Sequence, residues 1–157
     1  MTAVTRKMVV FRLGDDRFAA DVHDVERVLR WQAPRAIPDV PPWMDGVVEY
    51  QGRMVPVIGL RRRFELPDGG TDGTTRIVVM HGEQEWVGVV VDEVLEVSAY
   101  DPDAVQPPPA IFRGLAGAYL RGLVGTGEKL TILLDVKRLL STTERIQLAR
   151  AVEASAQ

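Results

Sequence analysis

The stretch Gly46–Leu60, GVVEYQGRMVPVIGL, decides the fold. Two apolar runs, Val47–Val48 and Met54–Ile58, flank Gly52-Arg53, with Gly46 in front. Glycine reaches positive φ without a steric penalty and permits a tight reversal, and β-branched flanks suit paired strands. The segment therefore reads as a β-hairpin. Leu60-Arg61-Arg62-Arg63-Phe64 follows, apolar at both ends with three charges between, which suits one exposed helical turn.

Upstream, Met8–Leu13 and Arg17–Val22 are extended segments joined by the turn formers Gly14-Asp15-Asp16, a first hairpin. Asp24 stands where a helix N-cap would. Val25, Val28 and Leu29 behind it give one apolar helical face. Trp31–Met44 carries Pro34, Pro38, Pro41 and Pro42, a density that leaves few amide donors. It reads as a connector packing Trp31, Ile37, Val40 and Trp43 irregularly. Pro67-Asp68-Gly69-Gly70, continued to Thr75, reads as a disordered loop.

The second half replays the first. Ile77–Met80 and Trp86–Val91 flank Gly82-Glu83-Gln84-Glu85, so Trp86 answers Phe18. Asp92 answers Asp24, and Val94 and Val97 answer Val25 and Val28. A proline connector returns with Pro102 and Pro107-Pro108-Pro109, and Gly122–Leu140 repeats Gly46–Phe64 without a gap. Four elements in the same order point to duplication rather than chance likeness of hairpins. Two strand-rich halves of this size would each curl into a small barrel, removing sheet edges. Hairpin connections make the sheets mainly antiparallel. The expected class is all-β: two small five-stranded barrels of the SH3/OB kind packed together, with short helices. Residues 8–140 form that unit. Residues 141–157 form a helical tail, which Ser141 and Glu144 would open as a capping box and which Ile146, Ala149 and Val152 would lay on one barrel.

Composition narrows the function. The chain has 157 residues, a net charge of −3 and no cysteine. Nucleic-acid binding needs a basic surface, which this charge does not supply. Without cysteine there is no disulfide framework, thiolate metal site or cysteine nucleophile. The N-terminal apolar run meets Arg12 almost at once, too short for a secretion signal. Nothing approaches the roughly 18 apolar residues of a membrane span, so a soluble, cytoplasmic protein without direct membrane insertion is expected.

Candidate chemistry is thin. His23 and His81 each stand by a strand end without a set of ligand-type neighbours, so no metal site is expected. Asp15-Asp16 and Asp92-Glu93 could serve acid–base work, but turn and cap roles account for both. Gly122-x-x-Gly125-x-Gly127-Glu128-Lys129 falls short of a phosphate loop, because Glu128 intervenes and Leu130 stands where a hydroxyl is needed. No catalytic residue and no cofactor are expected. The Arg61-Arg62-Arg63 cluster reads first as a solvated helix face and second as a surface for an acidic partner. What remains is protein contact where the barrels meet: the Val25/Val28 face, the Gly46 hairpin and the strand Val87–Val91.

The series Phe11-x-Leu-Gly14, Val25-x-x-Val28, Gly46-Val47-Val48, Gly52-x-Met-Val-Pro56, Leu60-Arg61-x-Arg63, Val87-Gly88, Asp92-x-Val94, Pro107-Pro-Pro and Leu133-Leu134-Asp135 resembles the CheW family of bacterial chemotaxis scaffolds. The resemblance runs from about Met8 to Leu140. It implies two five-stranded barrels, no catalysis and two partners. These are the regulatory domain of a CheA-type histidine kinase and the cytoplasmic hairpin tip of a chemoreceptor. By motif position it marks Val25, Arg27, Val28, Gly46, Gln51, Gly52, Val89 and Val91 as partner-facing or groove-forming. Two of these depart from the family pattern: Gln51 stands where the family usually has arginine, and Arg27 where it usually has glutamate. Arginine makes bidentate charge-assisted contacts that glutamine does not, so the partners are expected to differ accordingly. The competing reading, a small β-barrel enzyme or nucleotide-binding regulator, requires a polar pocket with converging titratable groups.

Overall fold

The Gly46 hairpin forms from β4 (Met44–Tyr50) and β5 (Arg53–Ile58) in a computed structural model of the chain. The structure describes residues 5–64, 66–67, 69–108, 119–140 and 142–155. In the last segment it describes the side chains of 144–145, 147 and 149–153. The reversal falls on Gln51-Gly52, one residue earlier than expected, with φ of 49° and 75°. Two successive positive φ values give the primed hairpin turn, whose twist matches the strands it joins. Arg53 is thereby the first residue of β5 and pairs with Tyr50.

Before β5 lie β1 (Arg6–Leu13), β2 (Asp16–Asp21) and β3 (Val25–Arg30); after it come α1 (Leu60–Arg63), β6 (Arg76–His81), β7 (Trp86–Val91) and β8 (Glu93–Tyr100). β9 (Leu120–Val124), β10 (Thr131–Leu134) and α2 (Thr142–Ser155) complete the described chain. The helical faces expected after Asp24 and Asp92 are instead strands, β3 and β8. The misleading three-residue spacing has a cause in the ladders. A register shift between Val25 and Arg27 sets Val25 opposite Met80 and Val28 opposite Val78. A matching shift sets Val94 opposite Phe11 and Val97 opposite Val9. A bulge adds one residue, so positions three apart face the same side of a strand. The one helical turn near Asp24 is the 3-10 turn Val22–Asp24, capped by Asp21, which accepts a bond from the His23 amide at 2.9 Å.

The strands make two sheets of five, in the orders β8-β1-β2-β10-β9 and β3-β6-β7-β5-β4. Moving each strand five places along the chain converts one order into the other, so the internal repeat is visible as symmetry. All pairs are antiparallel except β2 with β10 and β5 with β7. Leu133 pairs with Ala19 where its counterpart Val57 pairs with Gly88. That register makes Val87, rather than Trp86, the counterpart of Phe18. β3 of the first half completes the second sheet against β6, and β8 of the second half joins the first sheet against β1.

Each sheet curls over a core of its own. Val48, Tyr50, Val55, Val57, Ile77 and Val79 fill the second sheet, with Leu29 of edge strand β3 against them. Met8, Val10, Ala19, Tyr100 and Leu133 fill the first. The two sheets share a third core that includes Phe11, Phe18, Ile58, Met80, Val89 and Leu134. The backbone ladders stay open, since the edges β8 and β9, and β3 and β4, do not pair among the described residues. In the second sheet side chains close the gap: the Tyr50 hydroxyl on β4 donates to Glu26 on β3 at 3.1 Å.

Asp92 lies where the chain passes from the second sheet into the first. Its carboxylate accepts from the Gly14 amide at 2.8 Å and pairs with Arg61 of α1 and with Arg12 at 3.6 Å. Its amide donates to the Arg12 carbonyl at 2.9 Å. Asp92 is thus an ion-pair hub. The arginine cluster also differs from a solvated face. Arg63 is only 9 % exposed, bonds Glu144 at 2.5 Å and the Leu139 carbonyl at 2.8 Å, and sits over Trp43 and Tyr119. Residues 72–75, expected to be disordered, form a tied turn in which the Thr74 hydroxyl donates to the Asp92 carbonyl at 2.9 Å. Asp68, Pro109 and the Ser141 half of the capping box lie outside the described residues.

Gly46 and its counterpart Gly122 each admit a connector carbonyl. A Cβ on Gly46 would stand 2.3 Å from the Arg35 oxygen, and one on Gly122 would stand 2.2 Å from the Gln106 oxygen. Gly14, at φ 61°, has nothing within 4 Å of such an atom. Gly14→Ala is therefore expected to cost about 1 kcal/mol in urea unfolding, the price of a left-handed alanine. Gly46→Ala, at φ 146° and against backbone, should cost roughly 3 kcal/mol or more.

A candidate partner-binding rim on the second sheet

Curling of the second sheet brings its two edges together, and with them the two departures from the family pattern. Arg27 follows Glu26 on β3, and Gln51 follows Tyr50 at the end of β4. The Tyr50–Glu26 bond therefore joins the residues that precede them, on the two edge strands of the sheet. The side chains of Arg27 and Gln51 are both exposed. His81, which ends β6, places its Nε2 3.3 Å from the other Glu26 oxygen. Trp86, opposite His81 in the ladder, packs on Tyr50 at 5.2 Å between centroids. Arg53 covers the Trp86 ring at 4.5 Å. Sequence reading missed Glu26, Tyr50, Arg53, His81 and Trp86 as members of this group. Their signal was the tyrosine and tryptophan at strand ends, where aromatic residues keep a polar or cationic partner.

The remaining predicted positions divide. Val28 is 38 % exposed on the edge strand, and Val25 is half-buried against the shared core. Gly52 is exposed in the hairpin turn beside Gln51. Gly46 is buried under the Arg35 carbonyl, so it shapes the hairpin and offers no contact surface. Val89 and Val91 are fully buried in the shared core, which corrects their assignment as partner-facing. They face inward because their side of β7, with Val87, packs against the shared core, whereas Val90 and Trp86 on the other side are half-buried against the core of the second sheet. Val97, the counterpart of Val28, is 59 % exposed on edge strand β8.

A buried polar contact holds the entry to β3. Asp21 is 2 % exposed and accepts from the Tyr100 hydroxyl of β8 as well as from His23, whose Nδ1 lies 2.9 Å away. Burial alone would raise its pKa, but the bonds from Tyr100 and His23 outweigh it and hold the carboxyl below the ordinary aspartate value. Tyr100 is pushed up, by burial first and then by Asp21. Asp24 is raised by burial, against the attraction of Arg121.

Comparison with known proteins places the chain in a family. The model for the CheW-like domain matches residues 7–144, and the chain belongs to that family. It is similar to the chemotaxis protein CheW of Klebsiella aerogenes, 32% identical over 141 residues, 90% of this chain and 85% of that one. The chemotaxis protein CheW of Treponema pallidum is 29% identical over 147 residues, 91% of this chain and 86% of that one. Among solved structures, the scaffolding protein TtCheW of Thermoanaerobacter tengcongensis superposes with a TM-score of 0.81. It is 27% identical, with 91% of this chain and 92% of that one covered. The family is one of scaffolds. Among the described residues no helix is long and apolar enough to cross a membrane.

The Asp21 contact sets an acid dependence. A carboxyl with a lowered pKa stabilises the fold above its unfolded value, and that contribution disappears as pH falls through the folded value. Tyr100→Phe removes the bond that holds the pKa down. Acid unfolding followed by circular dichroism should therefore begin at a higher pH in the variant.

Proposed function

We propose that this protein is a non-enzymatic adaptor coupling chemoreceptors to a CheA-type histidine kinase, acting in the cytoplasm and joining the membrane only through receptors. On this reading its partners are the kinase regulatory domain and the receptor's cytoplasmic hairpin tip. Residues 8–140 are the CheW-like unit, with 141–157 as an appended helix and tail. The observation that carries the reading is the exposed rim of the second sheet, in a chain that matches the CheW-like family from residue 7 to 144.

Position decides what the departures do. Arg27 and Gln51 each follow a residue of the Tyr50–Glu26 bond, and on this reading they reverse one charge and remove another on the partner-facing side of the two edge strands. Val28 stands one residue away and supplies exposed apolar area beside them. Juxtaposed like charges suppress a wrong partner, and a bidentate arginine selects a carboxylate. The rim therefore favours a receptor or kinase with compensating charges. A pull-down with the receptor and kinase of its own system, set beside standard ones, should retain the former and lose the latter. The double variant Arg27→Glu, Gln51→Arg should shift preference toward the standard partners by about tenfold or more, the size of one charge-assisted contact. Equal capture of both partner sets by the unaltered protein would contradict the altered pairing.

A further inference from the structure

The C-terminal helix α2 lies against β5 and leaves a cleft of about 310 Å³ between itself, β5 and the β6–β7 turn. Met54, Pro56, Val152 and part of Trp86 supply apolar wall. Ligand pockets run from about 300 to 1,000 Å³, so this one has room for a large side chain and its neighbours and not for a nucleotide cofactor. The far side carries balanced charge: Arg145 bonds Glu83 at 2.8 Å and Glu85 at 3.3 Å. Arg53 at the near side has no carboxylate partner among the described residues. Its Cζ stands over the Trp86 ring instead, 4.5 Å from the centroid. Glu49, across the ladder from Met54, forms no ion pair with it.

A guanidinium stacked on an indole keeps its edge donors free in a fixed plane, which matches a carboxylate bidentately. An apolar pocket beside such a fork is complementary to one chemistry: a large apolar side chain with an acidic neighbour in the same extended segment. We propose that the α2–β5 cleft binds a short acidic-apolar peptide segment of a partner protein, with the apolar side chain against Trp86 and Met54 and the carboxylate on Arg53. Ala149 and Val152 line the cleft from beyond residue 144, where the family match ends. The cleft is therefore built partly from residues outside the family's own span. The proposal goes beyond the adaptor reading and does not rest on the Arg27–Gln51 pair.

A phage-displayed random octapeptide library selected on the full chain tests it, followed by fluorescence anisotropy with the most enriched peptide. Selected peptides should carry leucine, phenylalanine or tryptophan within two positions of aspartate or glutamate. Arg53→Glu should weaken binding at least tenfold, and Arg53→Lys, which keeps charge but not the fork, by a smaller factor. Ala149→Trp, at an exposed helix position, should fill the cleft and weaken binding at least tenfold with an unchanged melting curve. The cleft shares Arg53 and Trp86 with the rim but does not include Arg27, so Arg27→Glu should leave affinity within about twofold. The proposal is overturned by failure of any peptide to enrich, by enrichment without the acidic-apolar pattern, or by affinity unmoved in both Ala149→Trp and Arg53→Glu.

Discussion

The strand exchange between the two halves is the constraint on which the rest depends. β3 leaves the first hairpin to complete the second sheet, and β8 leaves the third hairpin to flank the first. Neither half has five strands of its own within one sheet. Each crossing is fixed by a carboxylate. Asp21 holds the first through Tyr100 of β8, and Asp92 holds the second through Gly14, Arg12 and Arg61. Buried or half-buried carboxylates are costly without partners, so each is stable only once the other half of the chain has supplied its donors. The shared core between the sheets forms under the same condition.

The functional rim follows from that arrangement. β3 is an edge strand only because it has crossed to β6, and an edge leaves Arg27 and Val28 open to a partner. The sheet then curls until Tyr50 on the far edge reaches Glu26. Two positions 24 residues apart in sequence, Arg27 and Gln51, each follow a residue of that bond. None of the rim residues belongs to the shared core.

Much of the fold was legible in the sequence, for physical reasons that can be named. The β4–β5 hairpin showed because β-branched runs and glycine carry local information, and the duplication showed because Gly46 and Gly122 both must admit a connector carbonyl. β3 and β8 were misread as helical because bulges mimic a three-residue period, and a bulge is set by the partner strand. That Val89 and Val91 offer no exposed side chain was not legible because an apolar run does not say which of its faces packs on another sheet. Arg63 was misread because its partners Glu144 and Leu139 come from the other end of the chain. Partner-dependent features of this kind lie in tertiary context and have no local signal.

If the exchanged strands make the two sheets one cooperative unit, they must open together. Native-state hydrogen exchange at Val10 and Phe11 of the first sheet and at Val78 and Val79 of the second measures this directly. The account predicts a single opening free energy for all four amides, within about 0.5 kcal/mol. Protection in one sheet that exceeds the other by about 2 kcal/mol or more would show sheets that unfold separately and would contradict it.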